Sequence, residues 1–258
     1  TGGCNLDCSY DRYNREERAL CSHLFRLLHE PAPSAELEPP IVQFARLLID
    51  NREIEWIGDP NLSPKADWQQ ARMYSEVALL RDAYKDRLTR AEHNEFMDEI
   101  VAEVSRIENV NDCISWSELM AQQTKGRIHP RRVLNTLENR GLSSLIDGNQ
   151  AVYCTIQSMF NSKPDMALTF NGHLVLIEAK FTQKRDGKQI ALARKIVRVW
   201  ASILYEDLGF AELPKAYAVA TLGAHKDDIT WSDVANIADQ YYNENDISRR
   251  AFRYAVDL

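Results

Sequence analysis

Asn171-Gly172 lies between two apolar runs, and it is the dipeptide best suited to a two-residue hairpin turn, whose central residues both need positive φ. Met166, Leu168 and Phe170 lead into it. The return segment 173–181, His-Leu-Val-Leu-Ile-Glu-Ala-Lys-Phe, is apolar enough to be central in a sheet. A two-residue turn pairs Phe170 with His173, so that Asp165 falls opposite Glu178. Directly opposed residues have Cβ atoms about 4.5–5.5 Å apart. Strand side chains alternate with period two, so Lys180 shares a face with Glu178 while Ile177 and Ala179 point the other way.

Like charges opposed on neighbouring strands destabilise a sheet, and a buried carboxylate pair is costly unless partnered or protonated. Two arrangements relieve that cost. In one, Asp165 ends a turn after Pro164, and Glu178 and Lys180 form an ordinary edge-strand ion pair. In the other, a divalent cation sits between the carboxylates. Hard oxygen ligands suit Mg2+ or Mn2+, which commonly use one or two carboxylates and keep several waters. Such a cation activates water and stabilises charge developing on a phosphate, and a nearby ammonium can orient the attacking water. The second arrangement describes metal-assisted phosphodiester hydrolysis.

The rest of the chain divides by pattern. Residues 14–121 show helical periodicity. Glu17, Leu20, Leu24, Leu27 and Leu28 share a face, and that run stops before Pro31 and Pro33. After a Pro- and Ser-containing linker at 31–40, Ile41, Phe44, Leu47 and Leu48 mark a second helix. Residues 68–88 suit a third and 92–107 a fourth. Ser115 or Ser117 can cap a fifth, and 130–140 suit a sixth closed by Gly141. Beyond Gly148, Val152, Cys154 and Ile156 alternate as a strand would. A long helix is expected over 188–206, a strand over 217–222 and a helical tail over 232–257. The expectation is an α/β sandwich. Residues 1–30 supply a first core helix, 31–148 a helical insertion, and 149–258 the sheet-bearing core.

Pro164-Asp165 followed by Glu178-Ala179-Lys180 resembles the signature of the PD-(D/E)XK nuclease superfamily, the restriction-endonuclease-like and RecB-like enzymes with an αβββαβ core. The element order above is similar to that core, with the helical insertion between its first helix and first strand. The resemblance covers residues 149–258 and the N-terminal helix. It implies a Mg2+- or Mn2+-dependent nuclease acting on DNA, with a role in defence, restriction or repair. It further implies that Asp165 and Glu178 bind the metal with help from the Ala179 carbonyl, and that Lys180 serves the nucleophilic water. Many members add a carboxylate from the first core helix. Glu17 fits that role best, Glu16 is its near rival, and Glu76 a more distant one. Gln189 fits a glutamine that some members carry just after the lysine strand. Members with an iron–sulfur cluster use cysteines beyond the lysine motif, and none follows Cys154 here, so no cluster is expected.

The charge balance bears on partners. The 258 residues carry 38 acidic and 31 basic side chains, a net −7 that disfavours a nucleic-acid partner if evenly spread. It is not. Residues 1–150 hold 25 acidic and 18 basic residues, whereas 151–258 hold 13 of each. Between 180 and 198, seven basic residues (Lys180, Lys184, Arg185, Lys188, Arg194, Lys195 and Arg198) face one acid, Asp186. Lys184, Arg185 and Lys188 are the nearest candidates for phosphate contact. A second cluster, Lys125, Arg127, His129, Arg131 and Arg132, borders the sixth helix. His225 and Lys226 follow the last strand and could approach the cleft of the Asp165–Glu178 site.

The acidic helical insertion suits a homodimer contact or a protein partner. It frames an alternative in which the chain is a nuclease-like adaptor with weak or absent catalysis. Hydrolysis of a small phosphate ester is a third possibility. Cys4, Cys8, Cys21, Cys113 and Cys154 are odd in number and form no disulfide framework, so a reducing, cytoplasmic setting is the expectation. Cys4 and Cys8 with Cys21 and His23 are the one grouping that suits zinc, and free thiols are the simpler reading of them. No uninterrupted apolar run approaches the roughly 18–20 residues of a membrane span. The five tryptophans show no stacking pattern and are expected in the core.

Overall fold

A computed structural model describes residues 17–34, 36–61, 71–121, 130–180, 187–223 and 228–256; the side chains of Glu17, Arg18, Pro130 and Arg132 lie outside that description. Along the chain run α1 (Glu17–Leu28), α2 (Pro40–Asp50), β1 (Ile57–Gly58), β2 (Arg72–Ser75), α3 (Leu79–Asp86) and α4 (Arg90–Glu108). Next come α5 (Trp116–Ala121), α6 (Pro130–Asn139), a 3-10 turn (Ser143–Leu145), α7 (Ile146–Asn161), β3 (Met166–Phe170) and β4 (His173–Ala179). The chain continues with α8 (Gly187–Ile203), β5 (Ala216–Gly223), β6 (Ile229–Thr230), α9 (Trp231–Tyr241) and α10 (Ile247–Val256). No helix among the described residues is long and apolar enough to cross a membrane.

The chain forms two compact units. The first comprises Thr1–Val77, Pro164–Ile190 and Lys215–Leu258, and it holds a six-stranded mixed sheet. The strand order is β1-β5-β4-β3-β2, with β6 on β5. β2, β3 and β4 form an antiparallel meander, and β4 and β5 are parallel, joined by the crossover that contains α8. At the hairpin tip Asn171 and Gly172 have φ of +46° and +80°, as a type I′ turn requires. Phe170 pairs with His173 and the register runs unbroken to Met166 opposite Ile177, as the sequence predicts.

That register sorts the sheet into two faces. Met166, Leu168, Phe170, Val175, Ile177, Ala179, Ala218, Ala220 and Leu222 share one core with Leu20, Leu24 and Leu27 of α1. Phe44 and Leu48 of α2, Trp231 and Val234 of α9, and Phe252 of α10 complete it. Each fully buried Leu or Phe contributes about 1.5–3 kcal/mol relative to exposure. The opposite parity holds Ala167, Thr169, Leu174 and Leu176, all buried, and at its end the charged pair Glu178 and Lys180.

Three expectations are corrected. Residues 152–156 are not a strand but the middle of α7, whose buried residues Asn149, Val152, Tyr153, Ile156 and Met159 follow helical spacing. The region 68–88 is not one helix. Arg72–Ser75 is a strand with Met73 turned into the core, Glu76 breaks it at φ +49°, and α3 starts only at Leu79. The first strand of the meander therefore precedes most of the helical segment instead of following it. Residues 40–58 and 72–77, expected in the insertion, belong to the sheet-bearing unit.

The second unit, Ala78–Lys163 with Ala191–Pro214, is helical. α4 opens with a Thr89–Glu92 capping box and ends at Asn109 in the left-handed region. It packs against α5 and α7, while α3 and α6 also pack against α7. Ser115 Oγ accepts the Glu118 N–H at the start of α5. Two carboxylates of α4 are satisfied from α8. Glu103 pairs with Arg198 (3.0 Å) and Arg106, and Glu108 with Lys195 (2.5 Å) and Thr155.

Burial pushes the Glu108 carboxyl up, but the hydrogen bonds from Lys195 and Thr155 outweigh it and hold the group below its ordinary value. A carboxyl depressed on folding stabilises above its unfolded pKa, and that stability is lost as the pH falls through the folded value. The difference in urea midpoint between the parent and Lys195→Met is expected to be largest at pH 7 and to close as acid protonates Glu108. A difference that stays constant with pH would contradict this account.

Candidate functional site

The charged end of the sheet is built by register. Ser75 pairs with Met166, Met166 with Ile177, and Ile177 with Ala220. The next rung outward therefore reads Glu76, Asp165, Glu178, Thr221, with Glu178–Thr221 still a ladder pair. The Glu76 N–H donates to the Asp165 carbonyl at 3.1 Å, which holds the outer strand to β3 at that rung.

Asp165 has already left the strand. Continued antiparallel pairing would aim the Ala179 N–H at Pro164, but it donates to Asp165 Oδ2 at 2.9 Å. The aspartate thus folds back onto β4 beside Glu178, and its carboxylate takes the place of a strand carbonyl. Glu178 is only 3% exposed, and Gln189 Nε2, in the first turn of α8, donates to its Oε2. Lys180 is 8% exposed. Its N–H donates to the Leu222 carbonyl (2.6 Å) and its own carbonyl accepts from Trp231 Nε1 (2.9 Å).

On the far side of Glu178 the rung is held by Asp228. Its Oδ2 accepts the Thr221 N–H (2.7 Å) and hydroxyl (3.1 Å), and its own N–H donates to Thr221 Oγ1. These bonds satisfy the Thr221 N–H and hydroxyl of β5 between its short pairings with β1 and β6.

Asp165, Glu178, Lys180 and Gln189 all fall within the sheet-bearing unit at one end of the β3–β4 hairpin. Ala179 is fully buried with its N–H taken by Asp165. Glu17 is the first residue of α1, with its side chain outside the described set, and Glu16 lies outside the described residues. Glu76, the most distant rival by sequence, stands in the same rung as Asp165. The signal that would have found it is the alternation in Arg72-Met73-Tyr74-Ser75, which marks a short strand ending at the glutamate.

Lys188 is exposed at the start of α8, and Lys184, Arg185, His225 and Lys226 lie outside the described residues. Arg131 is exposed on α6 of the helical unit, and the Arg132 side chain is outside the described set. The basic run of α8 is less available than its composition implies, because Lys195 and Arg198 pair with Glu108 and Glu103. Cys21 is buried and His23 Nδ1 meets Ser248 Oγ at 3.0 Å, while Cys4 and Cys8 lie outside the described residues. Trp116, Trp200 and Trp231 are buried, as expected, whereas Trp56 is only half-buried against the core and Trp68 lies outside the described residues.

The donor chemistry fits a hard dication. Asp165, just before β3, and Glu178, on β4, offer carboxylate oxygens side by side, and Mg2+ or Mn2+ is commonly held by one or two carboxylates with water in the other positions. Among the described residues no group of three or more His, Cys, Asp or Glu has the spacing to hold a metal ion. The carboxylate pair, not a complete protein cage, is what the site offers. No protein-family model, curated protein or solved structure matches the chain.

Proposed function

We propose that the chain is a Mg2+- or Mn2+-dependent nuclease of the PD-(D/E)XK type that hydrolyses phosphodiester bonds of DNA. The observation that carries this is the convergence of Asp165, Glu178, Gln189 and Lys180 at one end of a β-hairpin whose body is apolar. A fold needs no charged pair there, and each buried charge costs on the order of several kcal/mol unless paired. The order α1, β2, β3, β4, α8, β5, with a three-strand meander and a parallel fourth strand, supports it by its similarity to an αβββαβ core. The helical unit then lies between the first and second strands of that core.

Asp165 and Glu178 would hold the cation, which when bound supplies charge stabilisation at the phosphate and a more acidic water. Gln189 fixes the Glu178 carboxylate by donating to one of its oxygens, leaving the orientation of the other set by the strand. The Lys180 ammonium, on the same face as Glu178, orients the attacking water and offsets negative charge at the scissile phosphate. Both side chains are nearly excluded from solvent, which strengthens every charge interaction among them.

Purified protein incubated with supercoiled plasmid, linear duplex and single-stranded DNA is expected to cut at least one substrate with Mg2+ or Mn2+ and none with EDTA. Intact substrates under both metals would reject the nuclease assignment.

A further inference from the structure

Lys180 is the first residue beyond the end of β4, since the β4–β5 ladder closes at Ala179 opposite Leu222. One last backbone bond to β5 and one side-chain bond fix its peptide groups. The Lys180 N–H reaches the Leu222 carbonyl, and the Lys180 carbonyl receives the Trp231 indole N–H at 2.9 Å. Trp231 is itself placed with care. Thr230 pairs with Gly223 at the end of β6 and caps α9 through a reciprocal bond with Asp233, which sets Trp231 as the first residue of the helix. The indole is fully buried and stacks on Phe252, with ring centroids 6.3 Å apart.

A buried indole needs a partner for its N–H, and many carbonyls would serve. This one is spent on the residue that carries the ammonium. We infer that Trp231 is a positioning residue for Lys180: its N–H fixes the peptide plane after Lys180 and so aims the side chain along the face shared with Glu178. The inference rests on the role given to Lys180 above. A misplacement of about 1 Å at a reacting group can cost about a hundredfold in rate, so loss of one of two backbone anchors is expected to cost about tenfold.

The test compares the parent, Trp231→Phe and a variant in which the Trp231 indole is replaced by the isosteric benzothiophene, which keeps the ring volume and removes only the N–H. Single-turnover cleavage in Mg2+ should show kcat down about tenfold in both variants, with KM unchanged. The same change made on Lys180→Ala should cost nothing further, because the effect runs through Lys180. In metal-free protein carrying 13C-labelled lysine, the Lys180 signal should move toward the position of exposed lysines in both variants. Unchanged kcat, a loss confined to KM, an equal loss on the Lys180→Ala background, or an unmoved Lys180 signal would each overturn the inference. If Trp231→Phe fails to fold, the benzothiophene variant decides alone. A parent that never cleaves rejects the nuclease assignment and this role with it. A cleaving parent matched by its variants rejects this role only.

Discussion

Lys180→Met is expected to lower the single-turnover cleavage rate in Mg2+ by about 10²–10⁴-fold, the range typical of removing a positioned acid–base group. Methionine keeps most of the aliphatic volume, so the buried stem continues to pack and the fold is retained. KM should stay near the parent value, since the interaction lost is one made in the transition state. Glu178→Ala is expected to fail differently. It removes one of the two carboxylates of the site and leaves the Gln189 amide without its acceptor, so Mn2+ affinity should drop together with the rate. Mn2+ titration followed by electron paramagnetic resonance separates the two: Lys180→Met binds the ion as the parent does, Glu178→Ala does not. Parent-like cleavage in either variant would remove that residue from the chemistry. The pair also separates this protein from a contaminating nuclease, whose activity would persist unchanged in both preparations.

What the sequence disclosed about the site was local, and what it hid was not. Asn171-Gly172 specifies its own turn, and the turn then dictates every pair from Phe170–His173 to Met166–Ile177 by counting. Asp165 and Glu178 are consequences of that count. β2 is different. Four residues ending in Glu76 are a strand only because Thr169 to Met166 are there to pair with them, across about ninety intervening residues. A helical assignment of residues 68–88 misses that strand, and with it the place of Glu76 beside Asp165.

α7 was hidden for another reason. Val152, Cys154 and Ile156 alternate, and three positions do not distinguish period two from a helix in which Val152 and Ile156 are one turn apart. The buried stripe of α7 also contains a polar residue, Asn149, which breaks the apolar pattern that would have identified it. The positive charge of α8 misled in the same way. Lys195 and Arg198 meet Glu108 and Glu103 from a helix distant in sequence, and composition counts them as available when they are paired.

Asn149 is also where the helical unit should be most sensitive to a single substitution. Its side chain is fully buried, and each of its polar atoms is used. Oδ1 accepts the Ile114 N–H at 2.8 Å, and Nδ2 donates to the carbonyls of Asp112 (3.0 Å) and Leu145 (2.9 Å). One amide thus closes the hydrogen bonds of the 112–114 segment onto the first turns of α7. The Tyr153 hydroxyl, one helical step on, donates to the Ile114 carbonyl at 2.9 Å and holds the same segment. Asn149→Leu is close in volume, so packing changes little, but it leaves the Ile114 N–H facing an apolar side chain away from water and removes the donor from the part-buried carbonyls of Asp112 and Leu145. The orphaned N–H costs about 1–3 kcal/mol and each lost part-buried bond about 0.5–1.5 kcal/mol, so the variant should lose about 3 kcal/mol in denaturant unfolding. Gln150→Ala, one residue away and exposed, should change stability by no more than about 0.5 kcal/mol. Asn149→Asp gives a sharper comparison, because it retains an acceptor for Ile114 while losing both donors and burying a carboxyl. It should be destabilised at pH 7 and recover part of the loss as the pH is lowered and the carboxyl is protonated. If Asn149→Leu unfolds within about 1 kcal/mol of the parent, water reaches the 112–114 segment and Asn149 does not hold it.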